Sequence, residues 1–459
     1  MVLTGFRGAG KTAVGKMLSE ALEVPFIDTD SEIEERTGRK IPAIFEESGE
    51  EAFREIESRV IASLPKSDLV VATGGGAVLF DENVRNMKEN SIVVFLDVSA
   101  DVSYERTCRG NRPPLTNKDP KDEIEFLISK RRPAYIRSSD FCTDASGSPA
   151  EVSGRVLEIV RPGEEKAVSR AQAAEKIVSS GGGIPDYYVC SASGFLLENP
   201  NGILCAIAGN PCLHSKSPVI YNSLFEKCGI CGHYTYLWKD NADDVIKAIN
   251  SLGMRGVSVT IPFKEDVLPN LDYVDGHAES IGAVNTIVSS CGGLYGYNTD
   301  WLGVKRPLEN MGDFGKKAVV LGTGGASRAC IYALISLGME VYVLGRDASK
   351  ARALSENFGC LYGSFDDFDS ICPDVLVNAT PVGMEEFKGT IIKKEQLKED
   401  MIVFDLVYTP AETELLVNAG SLGCRTIAGT EMFVYQAVEQ FYLITGVRVD
   451  ADLVRELVL

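Results

Sequence analysis

The sequence predicts an α/β fold, in which parallel sheets are covered by helices. Short apolar segments alternate with amphipathic helical stretches on both sides of a segment of unclear pattern at residues 163–202. In each half, one apolar strand runs into a Gly-rich turn that opens a helix, which is an arrangement that binds phosphate groups. The length of 459 residues agrees with several domains, because a single hydrophobic core of that size is uncommon.

We expect five segments along the chain. Residues 1–162 form a P-loop unit with a parallel sheet, and residues 163–202 are too few for another ordinary domain and are expected to be a linker with some local structure. The pattern resumes at residue 203 and breaks near residue 303, which predicts an α/β substrate-binding domain over 203–303 and a Rossmann-like dinucleotide domain over 304–430. The last segment, 431–459, is expected to form helices that pack back on the substrate domain.

Composition excludes several classes of protein. A formal charge of -19 opposes nucleic-acid binding, and no apolar run is long enough to span a bilayer. The N-terminus lacks the basic region and longer apolar core of a signal peptide, and the twelve cysteines are scattered, so a reducing, cytoplasmic location is expected. Cys228 and Cys231 are spaced as a pair, but no second pair follows, which favours a helix end over a zinc site. With only three histidines, proton transfer is expected to rely on Lys and Asp.

The first Gly-rich turn, Gly5-Phe-Arg-Gly-Ala-Gly-Lys-Thr12, fits the eight-position phosphate loop. Its backbone N–H groups, at positions that include Gly8, Ala9 and Gly10, are expected to face the phosphates of ATP. Lys11 would neutralise charge on the phosphates, and the Thr12 hydroxyl would bind Mg2+. The alternative is a chance Gly-rich turn, which the flanking strand and helix oppose.

Two carboxylates follow the next strand, at the edge where ligands bind in such sheets. Asp28 is expected to help hold Mg2+, and Asp30 to accept a hydrogen bond from a substrate hydroxyl. Taken alone, the two carboxylates could equally be solvated caps of the following helix.

Five motifs then occur in a specific order, and they make the first 160 residues resemble shikimate kinase. They are the phosphate loop, Gly49-Glu-Glu-Ala-Phe-Arg54, Thr73-Gly-Gly-Gly76, Arg112-Pro-Pro-Leu115 and Lys130-Arg-Arg-Pro-Ala-Tyr135. The resemblance implies a substrate site formed by Asp30, Arg54, Gly74, Gly75, Gly76 and Arg131. It also implies that Arg112 lies on a lid over the transferring phosphate, that Arg106 stacks on adenine, and that Lys11, Asp30 and Arg112 act in catalysis. A guanidinium fork suits a carboxylate, so Arg54 and Arg131 are sensible anchors for an acid.

The second Gly-rich turn, Gly322-Thr-Gly-Gly-Ala-Ser327, follows a strand and predicts a dinucleotide pyrophosphate at a helix N-terminus. The next strand, residues 340–344, ends in Gly345-Arg346, with Lys350 one turn further. An NAD enzyme usually carries an acidic residue at this point, whereas two cations favour the 2'-phosphate of NADP. Asp347 lies between these cations and weakens the preference.

A series of motifs makes residues 203–459 resemble shikimate dehydrogenase. They include Ser215-Lys-Ser-Pro218, Thr260-Ile-Pro-Phe-Lys264, Gly282-Ala-Val-Asn285, Asn298-Thr-Asp300, Asn378-Ala-Thr-Pro381, Asp405-Leu-Val-Tyr408 and Gly429-Thr-Glu-Met-Phe-Val-Tyr-Gln436. The resemblance implies a substrate site of Ser215, Ser217, Thr260, Lys264, Asn285, Asp300, Tyr408 and Gln436. It implies an NADP site of Gly322, Gly324, Gly325, Ala326, Arg346, Lys350, Thr380, Leu406, Gly429 and Met432.

The expected catalytic pair is Lys264 and Asp300. Hydride delivery to a ketone creates an alkoxide, which the Lys264 ammonium can stabilise and protonate while Asp300 orients the amine. Without the other motifs, Lys264 would be a surface lysine in a strand-to-helix turn. Ser217 could instead cap a helix before Pro218, and this role is compatible with binding substrate.

Together the resemblances predict a bifunctional enzyme. It reduces 3-dehydroshikimate with NADPH and phosphorylates shikimate with ATP, with these small molecules as its partners, and oligomeric state does not follow from the sequence. Two alternatives remain: an N-terminal domain that binds without turnover, and an NAD-dependent quinate or shikimate dehydrogenase.

Overall fold

The structure is a computed structural model of the chain. It describes residues 1–65, 68–89, 91–108, 119–161, 164–179 and 186–458. None of the helices in these ranges combines the length and apolar composition that crossing a lipid bilayer requires.

The first sheet has five parallel strands in the order β2-β3-β1-β4-β5. These strands are β1 Val2–Thr4, β2 Phe26–Asp28, β3 Val70–Ala72, β4 Val93–Asp97 and β5 Phe141–Asp144. The helices around them are α1 Lys11–Leu22, α2 Thr29–Thr37, α3 Ile41–Ala62, α4 Asp81–Lys88, α5 Ala100–Thr107, α6 Pro120–Ser138 and α7 Pro149–Val160, with a 3-10 turn at Ala77–Leu79. The central strands β1, β3 and β4 are almost wholly buried, as expected of a parallel sheet covered on both faces. All the carboxyl ends therefore meet at one edge, where α1, the Asp28 loop and the Gly74–Gly76 turn begin.

The segment expected to be a linker contains two helices, α8 Glu164–Ser179 and α9 Asp186–Glu198. Small side chains on both, Ala171, Ala174 and Ala192, are buried in the same apolar cluster as the second sheet. Arg170 fixes α8 further by donating hydrogen bonds to the carbonyls of Pro200 and Leu252. The described part of this segment thus packs on the following domain.

The second sheet has six strands in the order β7-β6-β8-β10-β11-β9. Its strands are β6 Ile203–Gly209, β7 Gly232–Trp238, β8 Gly256–Val259, β9 Tyr273–Val274, β10 Thr286–Ser290 and β11 Gly293–Tyr297. Its helices are α10 Ser217–Lys227, α11 Ala242–Leu252 and α12 Gly276–Ile281, with a 3-10 turn at Leu268–Asn270. Strands β10 and β11 form an antiparallel hairpin. Cys228 is the C-cap residue directly after α10, so it lies at a helix end, as the sequence indicated.

The third sheet is fully parallel, with the order β14-β13-β12-β15-β16-β17. This is the 3-2-1-4-5-6 order of Rossmann folds, in which a dinucleotide binds where the strand order reverses. Its strands are β12 Lys317–Leu321, β13 Glu340–Leu344, β14 Leu361–Gly363, β15 Val375–Asn378, β16 Ile402–Asp405 and β17 Arg425–Ile427. The helices of this part are α13 Asp300–Met311, α14 Gly325–Ser336, α15 Ala348–Phe358, α16 Phe368–Ile371, α17 Glu414–Ser421, α18 Gly429–Thr445 and α19 Ala451–Val458, with 3-10 turns at Phe365–Asp367 and Lys394–Gln396. Helices α18 and α19 return to the second sheet, where Val434, Phe441 and Val454 share its core.

The first part of the chain docks on the second sheet and α18 through a polar interface. Arg255, which is 5% exposed, donates to the Ile136 and Arg137 carbonyls at the end of α6, with N···O distances of 2.9 and 3.5 Å. The same guanidinium donates to the carbonyl of Ile444 near the end of α18. The two helix C-termini carry partial negative charge, so one buried cation serves both.

A second contact of this interface surrounds the ring of Tyr442 on α18. Arg137 of α6 and Arg448 lie over this ring, 4.6 and 3.7 Å from its centroid. Tyr442 donates a hydrogen bond to Asp81 on α4, which also pairs with Arg448 at 2.7 Å.

Candidate active sites

The phosphate loop has the backbone that its sequence predicts. Gly8 and Gly10 have φ of 80° and 85°, which favours glycine, and α1 begins directly afterwards at Lys11. Gly10 is the N-cap residue of α1 and has no side chain that could accept a hydrogen bond from the helix. The first N–H groups of α1 therefore face the loop. Lys11 Nζ donates to the carbonyls of Gly5 and Phe6 at 2.7 and 3.2 Å, which holds its ammonium over the same loop. The residues fit the phosphates of a nucleotide.

Thr12 and Asp28 meet beside this loop. The Thr12 hydroxyl donates to Asp28 Oδ2 at 2.6 Å, while Asp28 Oδ1 caps α2 by accepting from the backbone of Asp30 and Ser31. Helix capping and proximity to the loop therefore coexist at Asp28. Hard oxygen donors of this kind fit Mg2+.

A second cluster of charged groups lies against the Gly74–Gly76 turn. An added Cβ on Gly74 would lie 2.5 Å from Glu57 Oε1 and 2.9 Å from Asp30 Oδ1, and one on Gly76 would collide with the Arg54 guanidinium. Arg54 pairs with Glu57 at 2.8 Å. Arg54 Nε and Glu57 Oε1 are buried and have no partner among the described residues, which marks a site that a polar ligand can complete. Burial raises the pKa of Glu57 above its ordinary value.

Helix α6 closes this cluster from the other side. The Tyr135 hydroxyl donates to the carbonyl of Gly75, and Arg131 interacts with both Tyr135 and Glu57. Gly75 also lies close to the phosphate loop, since a Cβ there would be 3.6 Å from the Gly5 carbonyl oxygen. The charged cluster at the Gly74–Gly76 turn and the phosphate loop are thus adjacent.

Two arginines expected near the nucleotide have different outcomes. Arg106 donates to the carbonyls of Gly8, Ala145, Ser146 and Gly147, so it bridges the phosphate loop and the loop after β5. Arg112, the expected lid residue, lies outside the described residues.

Lys264 and Asp300 form the centre of the second site. Lys264 Nζ lies 2.6 Å from Asp300 Oδ2, and the Asp300 side chain is 2% exposed. Asn285 donates to the other oxygen, Asp300 Oδ1, at 2.8 Å. Asp300 is also the first residue of α13, where the helix dipole stabilises a carboxylate. These contacts fix the direction of the Lys264 amine.

Gln436 lies beside this pair, and two predicted serines lie at the start of α10. Gln436 Oε1 accepts from Asn285 at 3.5 Å, which places α18 beside the pair. The hydroxyls of Ser215 and Ser217 lie 3.0 Å apart and are buried, and Ser215 Oγ accepts the backbone N–H of Ser217 at the start of α10. Ser217 is therefore the first residue of α10, and the alternative role as the helix cap is not the one observed: Lys216 holds the cap position and Ser215 supplies the hydroxyl.

The other two predicted substrate residues, Thr260 and Tyr408, each follow a strand. Thr260 directly follows β8, and its side chain lies against Gly209 at the end of β6. Tyr408 is half-buried after β16 and stacks obliquely on Phe433 of α18, and burial raises its pKa.

The dinucleotide turn lies between β12 and α14. Gly322 has φ of 110°, and Gly324 precedes the helix with its backbone exposed. Gly324 is the N-cap residue of α14 and has no side chain that could accept a hydrogen bond from the helix. The buried Ser327 hydroxyl has no hydrogen-bond partner among the described residues. A Cβ on Gly325 would be 4.0 Å from Lys264 Cδ, so this turn adjoins the catalytic lysine. A pyrophosphate fits this turn.

The cations after β13 are free to face a ligand, whereas the carboxylate between them is occupied. Arg346 and Lys350 are exposed. Asp347 caps α15, accepting from the Ser349 hydroxyl and from the backbone of Ser349 and Lys350. These hydrogen bonds lower the pKa of Asp347. The carboxylate is thus used locally, and this favours the 2'-phosphate over a ribose diol.

The other predicted cofactor residues lie around the carboxyl edge of the third sheet. The Thr380 side chain packs against Gly322, and an added Cβ on Gly429 would collide with the carbonyl of Leu406. Met432, one turn into α18, contacts Gly303 of α13. Ala326 lies in the first turn of α14.

Comparison with known proteins separates the two parts of the chain. The shikimate kinase model matches residues 7–161, the shikimate dehydrogenase substrate binding domain matches 207–287, and the shikimate 5'-dehydrogenase C-terminal domain matches 429–459. A shikimate dehydrogenase (NADP(+)) from Pyrococcus abyssi is 40% identical over 252 residues, which are 54% of this chain and 94% of that protein. The chain belongs to the shikimate dehydrogenase family. Its first part is a shikimate kinase domain.

Solved structures agree with this assignment over the dehydrogenase part. Shikimate 5-dehydrogenase from Thermus thermophilus, in complex with NADP(H) and shikimate, is 34% identical with a TM-score of 0.53, covering 56% of this chain and 98% of that one. Quinate dehydrogenase from Corynebacterium glutamicum, in complex with NAD, is also 34% identical, with a TM-score of 0.54 and the same coverage. Similar structures therefore exist in complex with NADP(H) and with NAD, so the choice between the two cofactors must be argued from the residues around Arg346.

Three residues of these sites were missed by sequence reasoning. In the kinase domain they are Glu57, one helical turn after Arg54, and Tyr135, one turn after Arg131. In the dehydrogenase, Gln440 accepts from Tyr221 and Ser258, both at 2.7 Å, and donates to the carbonyl of Asn285. Each lies three or four residues from a predicted residue on the same helix, and this spacing is the signal that could have found it.

Proposed function

We propose that this chain is a bifunctional enzyme that catalyses two successive reactions on one small acid. The dehydrogenase part reduces 3-dehydroshikimate to shikimate with NADPH, and the kinase domain phosphorylates shikimate at its 3-hydroxyl with ATP. The observation that carries the proposal is the same at both sites: a cluster of charged and hydroxyl side chains adjoins a phosphate-binding glycine turn. In the kinase domain, Gly75 of the charged cluster lies close to Gly5 of the phosphate loop. In the dehydrogenase, Lys264 of the catalytic pair lies close to Gly325 of the dinucleotide turn.

In the dehydrogenase, Lys264 is proposed to supply the proton. When bound, NADPH would supply the hydride, and the substrate carbonyl would become an alkoxide. The ammonium of Lys264 stabilises the developing negative charge and donates its proton to that oxygen. Asp300, fixed by Asn285 and by the start of α13, holds the amine toward the substrate. Ser215, Ser217, Thr260, Tyr408 and Gln436 are proposed to hold the carboxylate and hydroxyl groups of the acid.

In the kinase domain, phosphoryl transfer requires positioning and charge neutralisation. Lys11 and the N–H groups of the loop are proposed to hold the phosphates of ATP, which supplies the phosphoryl group. Thr12 and Asp28 would hold Mg2+. Asp30 accepts a hydrogen bond from the acceptor hydroxyl, while Arg54 and Arg131, with Gly74–Gly76, position the acid.

We propose NADP as the natural cofactor, with the 2'-phosphate between Arg346 and Lys350. Thr380, Leu406, Gly429 and Met432 would border the rest of the cofactor. The alternative is an NAD-dependent quinate or shikimate dehydrogenase; the quinate dehydrogenase from C. glutamicum was solved in complex with NAD. A higher kcat/KM for NAD with quinate than for NADP with shikimate would decide for that alternative.

The domain limits, the location and the partners are proposed together. The kinase domain is residues 1–162, the connecting segment 163–202, the substrate domain 203–303, the NADP domain 304–430 and the returning helices 431–459. A cytoplasmic location is proposed because the described cysteines are free thiols. The partners are small molecules, and nucleic acid is not among them.

A coupled assay of the full chain tests the whole proposal. The protein is supplied with 3-dehydroshikimate, NADPH and ATP with Mg2+, and both shikimate and shikimate 3-phosphate are followed. Lys11→Ala should stop the second product while shikimate still accumulates, and Lys264→Ala should stop the first reaction but leave phosphorylation of added shikimate. Shikimate formation without phosphorylation by the unmodified chain would instead show a kinase domain that only binds.

A further inference from the structure

Two cysteines from different domains meet where the kinase domain docks on the dehydrogenase. Cys142 lies in β5, the edge strand of the kinase sheet, opposite Phe95 of β4. Cys291 begins the two-residue turn between β10 and β11, and it packs against the kinase core together with Tyr295. The thiols of Cys142 and Cys291 are hydrogen-bonded to each other.

The approach of these two sulfurs is fixed by the docking contacts around them. Ser290, next to Cys291, lies with its hydroxyl 3.5 Å from the Ile136 carbonyl oxygen and 3.7 Å from Cys291 Sγ. Arg255 donates to the same carbonyl at 2.9 Å. The hairpin that carries Cys291 is therefore held against the end of α6, shortly before β5 begins.

Four other described thiols have oxygen partners. Cys231 donates to the side chain of Asn199, and three further cysteines donate to backbone carbonyls, namely Cys108, Cys372 and Cys424. Cys228 and Cys231, the pair that the sequence singled out, are both partly or fully exposed. They provide a natural comparison for the sulfur-to-sulfur contact of Cys142 and Cys291.

The surroundings give the two thiols different chemical roles. The hydrogen bond from Cys142 lowers the pKa of Cys291, and the nearby Arg255 guanidinium acts in the same direction against burial and Asp97. The pKa of Cys142 is raised, first by its hydrogen bond to Cys291 and then by burial. Both residues are partly exposed. Cys291 is thus suited to attack, because the thiolate is the nucleophile, and Cys142 to resolve.

We propose that Cys142 and Cys291 are a redox modification site, which forms a disulfide between the kinase domain and the dehydrogenase when a low-molecular-weight disulfide is the oxidant. The Cys291 thiolate attacks one sulfur of the oxidant, whose S–S bond breaks and releases one thiolate. Cys142 then loses its proton and attacks Cys291 Sγ, which releases the second thiolate. Two protein thiols are oxidised by two electrons, and the oxidant leaves as two thiols that carry the two protons.

The disulfide would hold the two domains together covalently. It closes a loop of well over a hundred residues, so it removes much conformational freedom from the unfolded chain. The expected rise in Tm on oxidation is about 5 °C for a protein of this size, and a reductant should reverse it.

The experiment uses the full chain in reduced and oxidised form. Protein is incubated with oxidised glutathione, free thiols are alkylated, and peptides are analysed by mass spectrometry. We expect a cross-linked peptide of Cys142 and Cys291 that dithiothreitol removes. It should persist in Cys231→Ser, the matched control for an exposed interface thiol.

The single variants separate the roles of the two sulfurs. Cys142→Ser should retain a glutathione adduct on Cys291, because the resolving thiol is missing, whereas Cys291→Ser should give neither adduct nor cross-link at that site. Unmodified protein in which Cys142 and Cys291 are both still alkylated after oxidation, or in which Cys291 carries glutathione without the cross-link, overturns the proposal.

Discussion

Replacing Arg255 by Met should uncouple the kinase domain from the dehydrogenase. Arg255 donates to four carbonyls, at 2.9 and 3.5 Å in the kinase domain and at 3.1 Å to both Ser289 and Ile444 in the dehydrogenase. Met has a similar length and no donor, so the change removes the hydrogen bonds and keeps most of the packing. The carbonyls at the end of α6 would then lose their partner in the other domain.

The size of the effect follows from these contacts. A hydrogen bond to a charged group contributes roughly 1.5–3 kcal/mol, so the two bonds to the kinase domain contribute about 3–6 kcal/mol. Burial lowers the pKa of Arg255, which shows that the buried guanidinium also carries a desolvation cost, and Met does not incur it. We therefore expect the free energy of docking to fall by about 2–4 kcal/mol.

The two halves can be followed separately because both tryptophans, Trp238 and Trp301, lie in the dehydrogenase part. Urea unfolding is monitored by tryptophan fluorescence and, in parallel, by kinase activity. The two transitions should coincide in the unmodified chain. In Arg255→Met, kinase activity should be lost at about 1 M less urea, and the transitions should separate. Arg425→Met is the control, because Arg425 is exposed and donates to two carbonyls within the dehydrogenase part. Coincident transitions in Arg255→Met, or an equal shift in Arg425→Met, would refute the reasoning.

Three further variants test the two sites. Lys264→Ala should slow turnover of the ketone substrate by the dehydrogenase by about 100- to 10,000-fold, measured as NADPH oxidation, with phosphorylation of added shikimate as the internal control; unchanged reduction removes Lys264 from its role. Arg346→Ala should raise the KM for NADP by about 10- to 100-fold and leave the KM for NAD nearly unchanged. The control is Arg352→Ala, which should alter neither KM, because the Arg352 guanidinium pairs with Glu356. An equal change for both cofactors contradicts a 2'-phosphate contact. Because burial raises the pKa of Glu57, the folded kinase binds this proton more tightly than the unfolded chain, so the protein loses stability as pH rises from the ordinary value of 4.5 through the raised pKa. The stability gained in Glu57→Gln should therefore increase as pH rises above 4.5, measured as the Tm of kinase activity, and a pH-independent difference would be inconsistent with this.

The sequence predicted those features that depend on local chemistry. A glycine turn between a strand and a helix needs no distant partner, so the start of α1 at Lys11 and of α14 at Gly325 followed from the pattern. The α/β class and a Rossmann-like dinucleotide domain were also predicted from alternating apolar segments and the second glycine turn, whereas the strand order of the third sheet was not. The pairing of Lys264 with Asp300 came from resemblance, since 36 residues separate them and their 2.6 Å contact depends on how β8 and α13 meet.

The docking residues were out of reach of the sequence for a physical reason. Arg255 reads as one cation before a buried strand, and its partners are backbone carbonyls, which every residue type has. Cys142 and Cys291 are likewise two of twelve scattered cysteines until the β10–β11 turn is placed beside β5. Asp347 illustrates a related limit. An acidic residue at this position after β13 suggests a ribose ligand, but the side chain of Asp347 caps α15.

The docking also relates the two active sites through a pair of helices. Helix α6 carries Arg131 toward the kinase pocket and ends in the carbonyls that Arg255 binds, about 8 Å further along its axis. Helix α18 carries Gln436 toward the dehydrogenase pocket and presents Tyr442 to Arg137 and Asp81 about 9 Å further on. Neither helix can shift along its axis without breaking contacts that the other one shares. The distance between the two substrate sites is therefore set by this interface. Along the chain, the kinase domain comes first, yet it uses the product of the dehydrogenase that follows it.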